Sequence, residues 1–96
     1  GGFYDNLPRI LPSACLARLR KDSWEVPSIF PFLQEHGKIS EHEMYRVFNN
    51  GVGFTLVVRA RDLDGALEIL DGMGEKAYHI GTIHSREENE PPVVIE

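Results

Sequence analysis

Cysteine is nearly absent from this sequence: Cys15 is the only one in 96 residues. An intrachain disulfide and a cysteine-based zinc site are both excluded, and a reducing compartment is the simple inference. A basic excess is also missing, with 15 acidic residues against 10 basic ones and a formal net charge of −5. Nucleic-acid surfaces are built on clustered positive charge, so a nucleic-acid partner is not expected. A small anion is a different matter, because local donors hold it and net charge does not. No apolar run approaches the roughly 20 residues needed to cross a bilayer, and no basic stretch followed by an apolar one opens the chain. The expectation is a cytoplasmic chain without a membrane partner. Its length allows one domain with a modest core.

Metal chemistry finds little support. His36 and His42 fall on different predicted helices. His79 and His84, five residues apart around a predicted strand, point to opposite faces. No pair has ligand spacing on one element, so no metal site is expected. Asp62 and Asp64 read as helix-start residues, favoured by the helix dipole. Cys15 has no adjacent base and reads as a small buried residue rather than a nucleophile. The acidic run REENE, residues 86–90, reads as a solvated loop, and Trp24 as a packing anchor.

What is present is an ordinary globular mixture, 42% hydrophobic and 26% charged. Phe3, Leu7, Ile10 and Leu11 have helical spacing, closed by Pro12. Residues 14–19 read as a strand with Cys15, Ala17 and Leu19 on one face. A helix is expected from Ile29, capped by Ser28, with Pro31 in the first turn and Gly37 as its stop. Ser40 and Glu43 have capping-box spacing ahead of a Met44, Tyr45, Phe48 stripe. Residues 52–58, rich in β-branched and aromatic side chains, read as a buried strand. Asp62 opens a helix carrying Leu63, Ala66, Leu67 and Leu70, ended by Gly72 or Gly74. Residues 77–83 and 93–95 read as strands. The predicted architecture is α+β, a mixed sheet with helices packed on it, and residues 52–83 are a candidate strand–helix–strand unit.

Two segments bear glycines where chemistry is plausible. In GGFYDNLPR, Gly1 and Gly2 lead into a helix, where backbone amides can converge on an anion; Asn6 can donate and Arg9 can pair with a phosphate. The bland alternative is an expression scar and a surface helix. In FNNGVGF, Asn49, Asn50, Gly51 and Gly53 join a helix to the predicted strand. Asn and Gly there serve a tight turn, whereas a second glycine at a strand start often marks close approach by another backbone or a ligand. Neither segment alone names a reaction.

Together, in order, they do resemble a known family. The run Gly1, Gly2, Phe3, Tyr4, Asp5, Asn6, Leu7, Pro8, Arg9 resembles the glycine triplet and acidic-Asn-aliphatic-Pro-Arg motif of the aminoimidazole ribonucleotide synthetases (phosphoribosylformylglycinamidine cyclo-ligases). Asp5 stands where that family commonly has Glu, and the triplet's first glycine is absent. Ser23-Trp24-Glu25-Val26-Pro27, the run from Glu43 to Gly53, Gly74-Glu75, Ile80-Gly81 and the Val93-Val94-Ile95-Glu96 ending are similar to the family as well. The resemblance implies that residues 1–96 are part of a carboxy-terminal domain, with an ATP-binding and dimer-forming amino-terminal domain missing. It implies an ATP- and magnesium-dependent ring closure of formylglycinamidine ribonucleotide in purine biosynthesis, by a homodimeric enzyme. It makes Gly1, Gly2, Asn6 and Arg9 candidate phosphate or substrate contacts, with Asn49, Gly51 and Gly53 shaping the cleft. No general acid or base is identified. The chain alone is expected to be inactive, to expose part of its core, and to self-associate or bind another fragment. The competing readings are a stand-alone module that binds a phosphorylated small molecule or a partner protein without turnover, and an inactive folded remnant.

Overall fold

The computed structural model describes residues 1–96. In chain order it contains α1 (Phe3–Ile10), β1 (Cys15–Leu19), α2 (Ile29–Gly37), α3 (Glu41–Val47), α4 (Leu63–Gly72), β2 (Gly81–Ser85) and β3 (Val93–Ile95). Short 3₁₀ turns at Lys21–Ser23 and Ala60–Asp62 complete it. The α+β expectation holds. The three strands form one mixed sheet in the order β2-β1-β3. β1 is central: it runs antiparallel to β2, with Leu19 opposite Gly81, and parallel to β3, with Ala17 opposite Val93.

Helix α1 is too short to be stable on propensity alone, and Pro8 inside it removes one more hydrogen-bond donor. Packing holds it instead. Phe3 and Leu7, one turn apart, are buried with Ala17, Leu19, Trp24 and Val93 in a single cluster. Phe3 meets Trp24 edge-on at 5.5 Å between ring centroids. Such aromatic pairs add about 0.5–1.5 kcal/mol beyond area burial. Ile10, expected on the same stripe, is exposed. Helix α3 starts as predicted, with the Ser40 hydroxyl accepting from the Glu43 amide at 3.2 Å, while the Glu43 side chain turns to Arg46 rather than back to the cap.

Several expectations are corrected. Residues 52–58 form no strand. A strand is defined by its ladder, and no backbone amide or carbonyl from Gly53 to Val58 finds a partner in the chain. The strand–helix–strand unit over residues 52–83 therefore does not form. The strand expected at 77–83 lies at Gly81–Ser85, because β1 ends at Leu19 and pairing stops beyond the bond from the Arg20 amide to the Ile80 carbonyl. Ser28 makes no side-chain cap and is itself helical in φ and ψ. Gly37 stays inside α2, and Lys38 takes the left-handed position at φ 52°, its amide bonded to the carbonyls of Gln34 and Glu35. Cys15 is half-buried.

The molecule is a plate of 41 × 39 × 19 Å. Its radius of gyration, 14.3 Å, exceeds the ~12.5 Å expected of a compact chain this long. Its accessible surface, 6908 Å², exceeds the ~5,600 Å² of a typical folded monomer of this mass. No helix is long and apolar enough to cross a membrane.

Candidate functional site

The two glycine-bearing segments meet at the carboxy-terminal end of α3. The Gly2 amide donates to the Arg46 carbonyl at 3.1 Å. Gly2 is buried there, and a Cβ at this position would run into the carbonyl oxygens of Tyr45 and Arg46. The glycine is thus required by close backbone approach, not by an unusual φ, since its own φ is −101°. Asn6 reinforces the turn: its side-chain amide donates to the Gly2 carbonyl at 2.7 Å, and its backbone amide to the same oxygen at 3.3 Å. A Cβ on Gly1 would strike the Asn6 side chain. Asn6 is therefore already engaged in shaping the loop.

Helix α1 begins at this turn. The amides of Phe3, Tyr4 and Asp5 have no backbone acceptor in the chain, which leaves them and the positive end of the helix dipole available to an anion. The Asp5 carboxylate would oppose that anion, but Arg46 stands 3.7 Å from it. Arg46 also holds Glu43 through two bonds, 2.8 and 2.9 Å long. That hydrogen-bonded pair keeps the Glu43 carboxyl below the ordinary range and the guanidinium above its own. Beside them, burial raises the Tyr45 phenol above its usual value, so the ring packs as the neutral form. Arg9 sits in the last turn of α1, about 10 Å further along the axis at 1.5 Å per residue. It is exposed and makes no bond within the chain.

The second segment follows α3 directly. The Asn49 side chain accepts from the Gly51 amide at 2.8 Å, a local turn. Gly51 has φ +99°, and a Cβ there would strike the Pro27 ring. Gly53 differs: its φ is not positive and nothing lies within 4 Å of where a Cβ would be. No contact within this chain explains the second glycine.

Sequence reasoning undervalued Asn50. It is 4% exposed, at φ 52°, and its side-chain amide donates to the carbonyls of Met44 and Phe48 at 3.1 and 3.3 Å. Its own carbonyl accepts from the Trp24 indole at 3.0 Å. Asn50 thus ties the end of α3 to the Trp24–Phe3 pair and so to α1. The Asn-Asn-Gly run was the available signal, since asparagine tolerates the left-handed region better than most residues. Trp24 is the buried anchor its type suggested.

A shallow cavity of 380 Å³ flanks α1 on its other side, where Tyr4 stacks on His42 at 4.5 Å above Val93, Val94 and Ile95. No three His, Cys, Asp or Glu side chains converge on a common point.

The chain belongs to the family described as AIR synthase related protein, C-terminal domain, which matches residues 1–93. Among individual relatives, it is 53% identical over 83 residues to a phosphoribosylformylglycinamidine cyclo-ligase of Bacillus velezensis, covering 86% of this chain and 24% of that protein. It is 51% identical over 90 residues to the protein of that name from Desulfatibacillum aliphaticivorans, covering 94% and 26%. It is 46% identical over 95 residues to that from Trichlorobacter lovleyi, covering 99% and 27%. The chain spans about a quarter of the length of these relatives.

Proposed function

We propose that this chain is the carboxy-terminal part of a phosphoribosylformylglycinamidine cyclo-ligase, and that it supplies one rim of a cleft for phosphorylated ligands. The reaction is an ATP-dependent ring closure of formylglycinamidine ribonucleotide in purine biosynthesis, in which an amide oxygen is phosphorylated and then displaced by an attacking nitrogen. The observation that carries this reading is the turn of Gly1 and Gly2 against α3, which leaves the Phe3, Tyr4 and Asp5 amides unpaired at the start of α1. Those donors suit phosphate oxygens, whether on ATP or on the ribonucleotide. Arg46 offsets the Asp5 carboxylate that would otherwise repel them. In this reading Arg9, the exposed cation on the same helix, makes a second phosphate or substrate contact. In the same reading Asn49, Gly51 and Gly53 shape the cleft.

Magnesium assists such phosphoryl chemistry when bound, by neutralising charge on the phosphates. The donor set here does not fit it, because no acidic cluster is assembled; its ligands belong to the rest of the enzyme, as does most of the ATP site. A homodimeric cytoplasmic whole enzyme is part of the same proposal. A chain carrying one rim cannot bring both reactants into line, so it is inactive alone.

The test is a chimera. The matching quarter of the Bacillus velezensis relative is replaced by this chain, and cyclo-ligase turnover is measured beside that of the 96-residue chain alone. The expected result is an active chimera, with kcat/KM lowered about 10- to 100-fold by Arg9→Ala, and no turnover from the chain. A folded but inactive chimera, or turnover by the isolated chain, contradicts the proposal. Phosphate-ester binding by the isolated chain, lost in Arg9→Ala, alongside an inactive chimera would favour the stand-alone binding module.

A further inference from the structure

We propose that the Asn50-Gly51 dipeptide is a latent modification site, where the asparagine amide converts to aspartate and isoaspartate once the chain opens, and that the fold holds this conversion off. The chemistry is intramolecular. A base from solvent removes the proton of the Gly51 amide, and the nitrogen attacks Cγ of Asn50. The Cγ–Nδ2 bond breaks, and Nδ2 leaves as ammonia with a proton taken from water. Water then opens the resulting succinimide at either carbonyl, giving aspartate or isoaspartate. A following glycine favours the attack, because it sets no Cβ beside the nitrogen and leaves the backbone free to rotate. Asn6 precedes Leu7, Asn49 precedes Asn50 and Asn89 precedes Glu90; only Asn50 precedes a glycine.

The folded chain engages the groups that the reaction must free. The attacking nitrogen has its N–H donated to Asn49 Oδ1 at 2.8 Å. The leaving group, Nδ2 of Asn50, donates to the Met44 and Phe48 carbonyls at 3.1 and 3.3 Å. The Asn50 carbonyl is held by the Trp24 indole at 3.0 Å. Asn50 is 4% exposed, so water and base reach little of it. Ring closure therefore waits on opening of the junction between α3 and Trp24, and its rate is the open-chain rate scaled by the fraction open. The products do not fit back. Aspartate sets a carboxylate, which only accepts, against the Met44 and Phe48 carbonyls. Isoaspartate adds a methylene to the main chain of a turn in which Gly51 already has φ +99° and leaves no room for a Cβ beside Pro27. Conversion thus makes opening of this junction irreversible. All of these contacts lie within the chain, so the inference is independent of the catalytic reading.

The test follows conversion at each asparagine by peptide mapping of the 96-residue chain, kept in buffer and in concentrated urea at the same mildly alkaline pH and temperature. In urea, Asn50 is expected to convert before Asn6, Asn49 and Asn89, and Gly51→Ala to slow it where no fold is involved. In buffer, Asn50 converts at least about tenfold more slowly than in urea. Trp24→Phe, which removes the indole donor and keeps an aromatic ring, speeds conversion in buffer at least about twofold and leaves the urea rate unchanged. Glu68→Gln, on the exposed face of α4, stays within about twofold of the parent in both. Converted chain returned from urea to buffer does not regain the parent's unfolding transition. The proposal is overturned by equal rates in buffer and urea, by another asparagine converting first in urea, by Trp24→Phe converting like the parent in buffer, or by converted chain that refolds like the parent.

Discussion

The residues up to Asn50 and the forty or so that follow it fold by different rules. Phe3, Leu7, Leu16, Ala17, Leu19, Trp24, Met44 and Asn50 are all buried, and Val93 returns from the carboxy-terminal end to join them; no residue between Gly51 and Pro92 is buried. In the first region α1, β1 and α3 each bury apolar side chains against the rest of the chain, while α2 buries none. In the second, α4 presents Leu63, Ala66, Leu67 and Leu70 only to half-buried positions, and residues 52–58 stand unpaired. The two regions are joined by β2 and by long polar tethers, Lys76 to Glu25 at 2.9 Å and Arg20 to the His79 carbonyl at 2.9 Å. The lesson is that apolar periodicity forms an element, but burial depends on a surface to bury it against.

That contrast predicts unequal sensitivity to substitution. Trp24→Ala, which empties the centre of the cluster and strips the Asn50 carbonyl of its donor, should cost about 3–5 kcal/mol. Leu67→Ala on α4 should cost less than about 1 kcal/mol, because little area is lost from water. Urea unfolding midpoints compare them, and equal losses would erase the distinction between the regions.

Asn50→Ala comes next, at about 2 kcal/mol, since it removes the side-chain donor shared by the Met44 and Phe48 carbonyls, of which Met44 keeps only the Phe48 amide, and keeps a positive φ that alanine resists. A change below about 0.5 kcal/mol in the same unfolding experiment would remove Asn50 from its bridging role. The two glycines of the loop sharpen the comparison at single-residue scale. Gly51→Ala should destabilise by about 1–3 kcal/mol through its φ of +99° and the Pro27 contact. Gly53→Ala, with open space around it, should leave monomer stability within about 0.5 kcal/mol.

The smallest effect is electrostatic. Arg46 depresses Glu43 and Lys76 depresses Glu25, in each case chiefly by a hydrogen bond to the carboxylate. A depressed folded-state value means that each pair contributes above the unfolded carboxylate range and is lost as pH falls through the folded one. Thermal melts should therefore decline slightly as the pH drops through the acid range, less so in high salt, since both pairs are exposed. Glu43→Gln should flatten part of that decline, and an unchanged profile would show the pair to be inert.

Much of the first region was legible in sequence. The α1 stripe, β1, the Ser40 cap and the Trp24 anchor follow from spacing and residue type, because local pattern and tertiary partner agree there. The Asn50 bridge was hidden, since an asparagine in a turn looks alike whether its amide faces solvent or two buried carbonyls. The strand at residues 52–58 was misread for the opposite reason. Its composition is that of a strand, but pairing is a property of two segments, and no other segment of this chain pairs with it. For the candidate site, the motif residues were visible, yet not that Gly2 is demanded by Tyr45 and Arg46, nor that Asn6 is held by Gly2. Those contacts depend on how α1 crosses α3, which no single segment encodes.

Amide hydrogen exchange on the dilute 96-residue chain tests the two-region account most directly. It predicts strong protection at Leu16, Ala17 and Leu19, the buried centre of the sheet, and near-random-coil exchange at positions 53–58. Protection at 53–58 equal to that of β1 in the dilute monomer would contradict it.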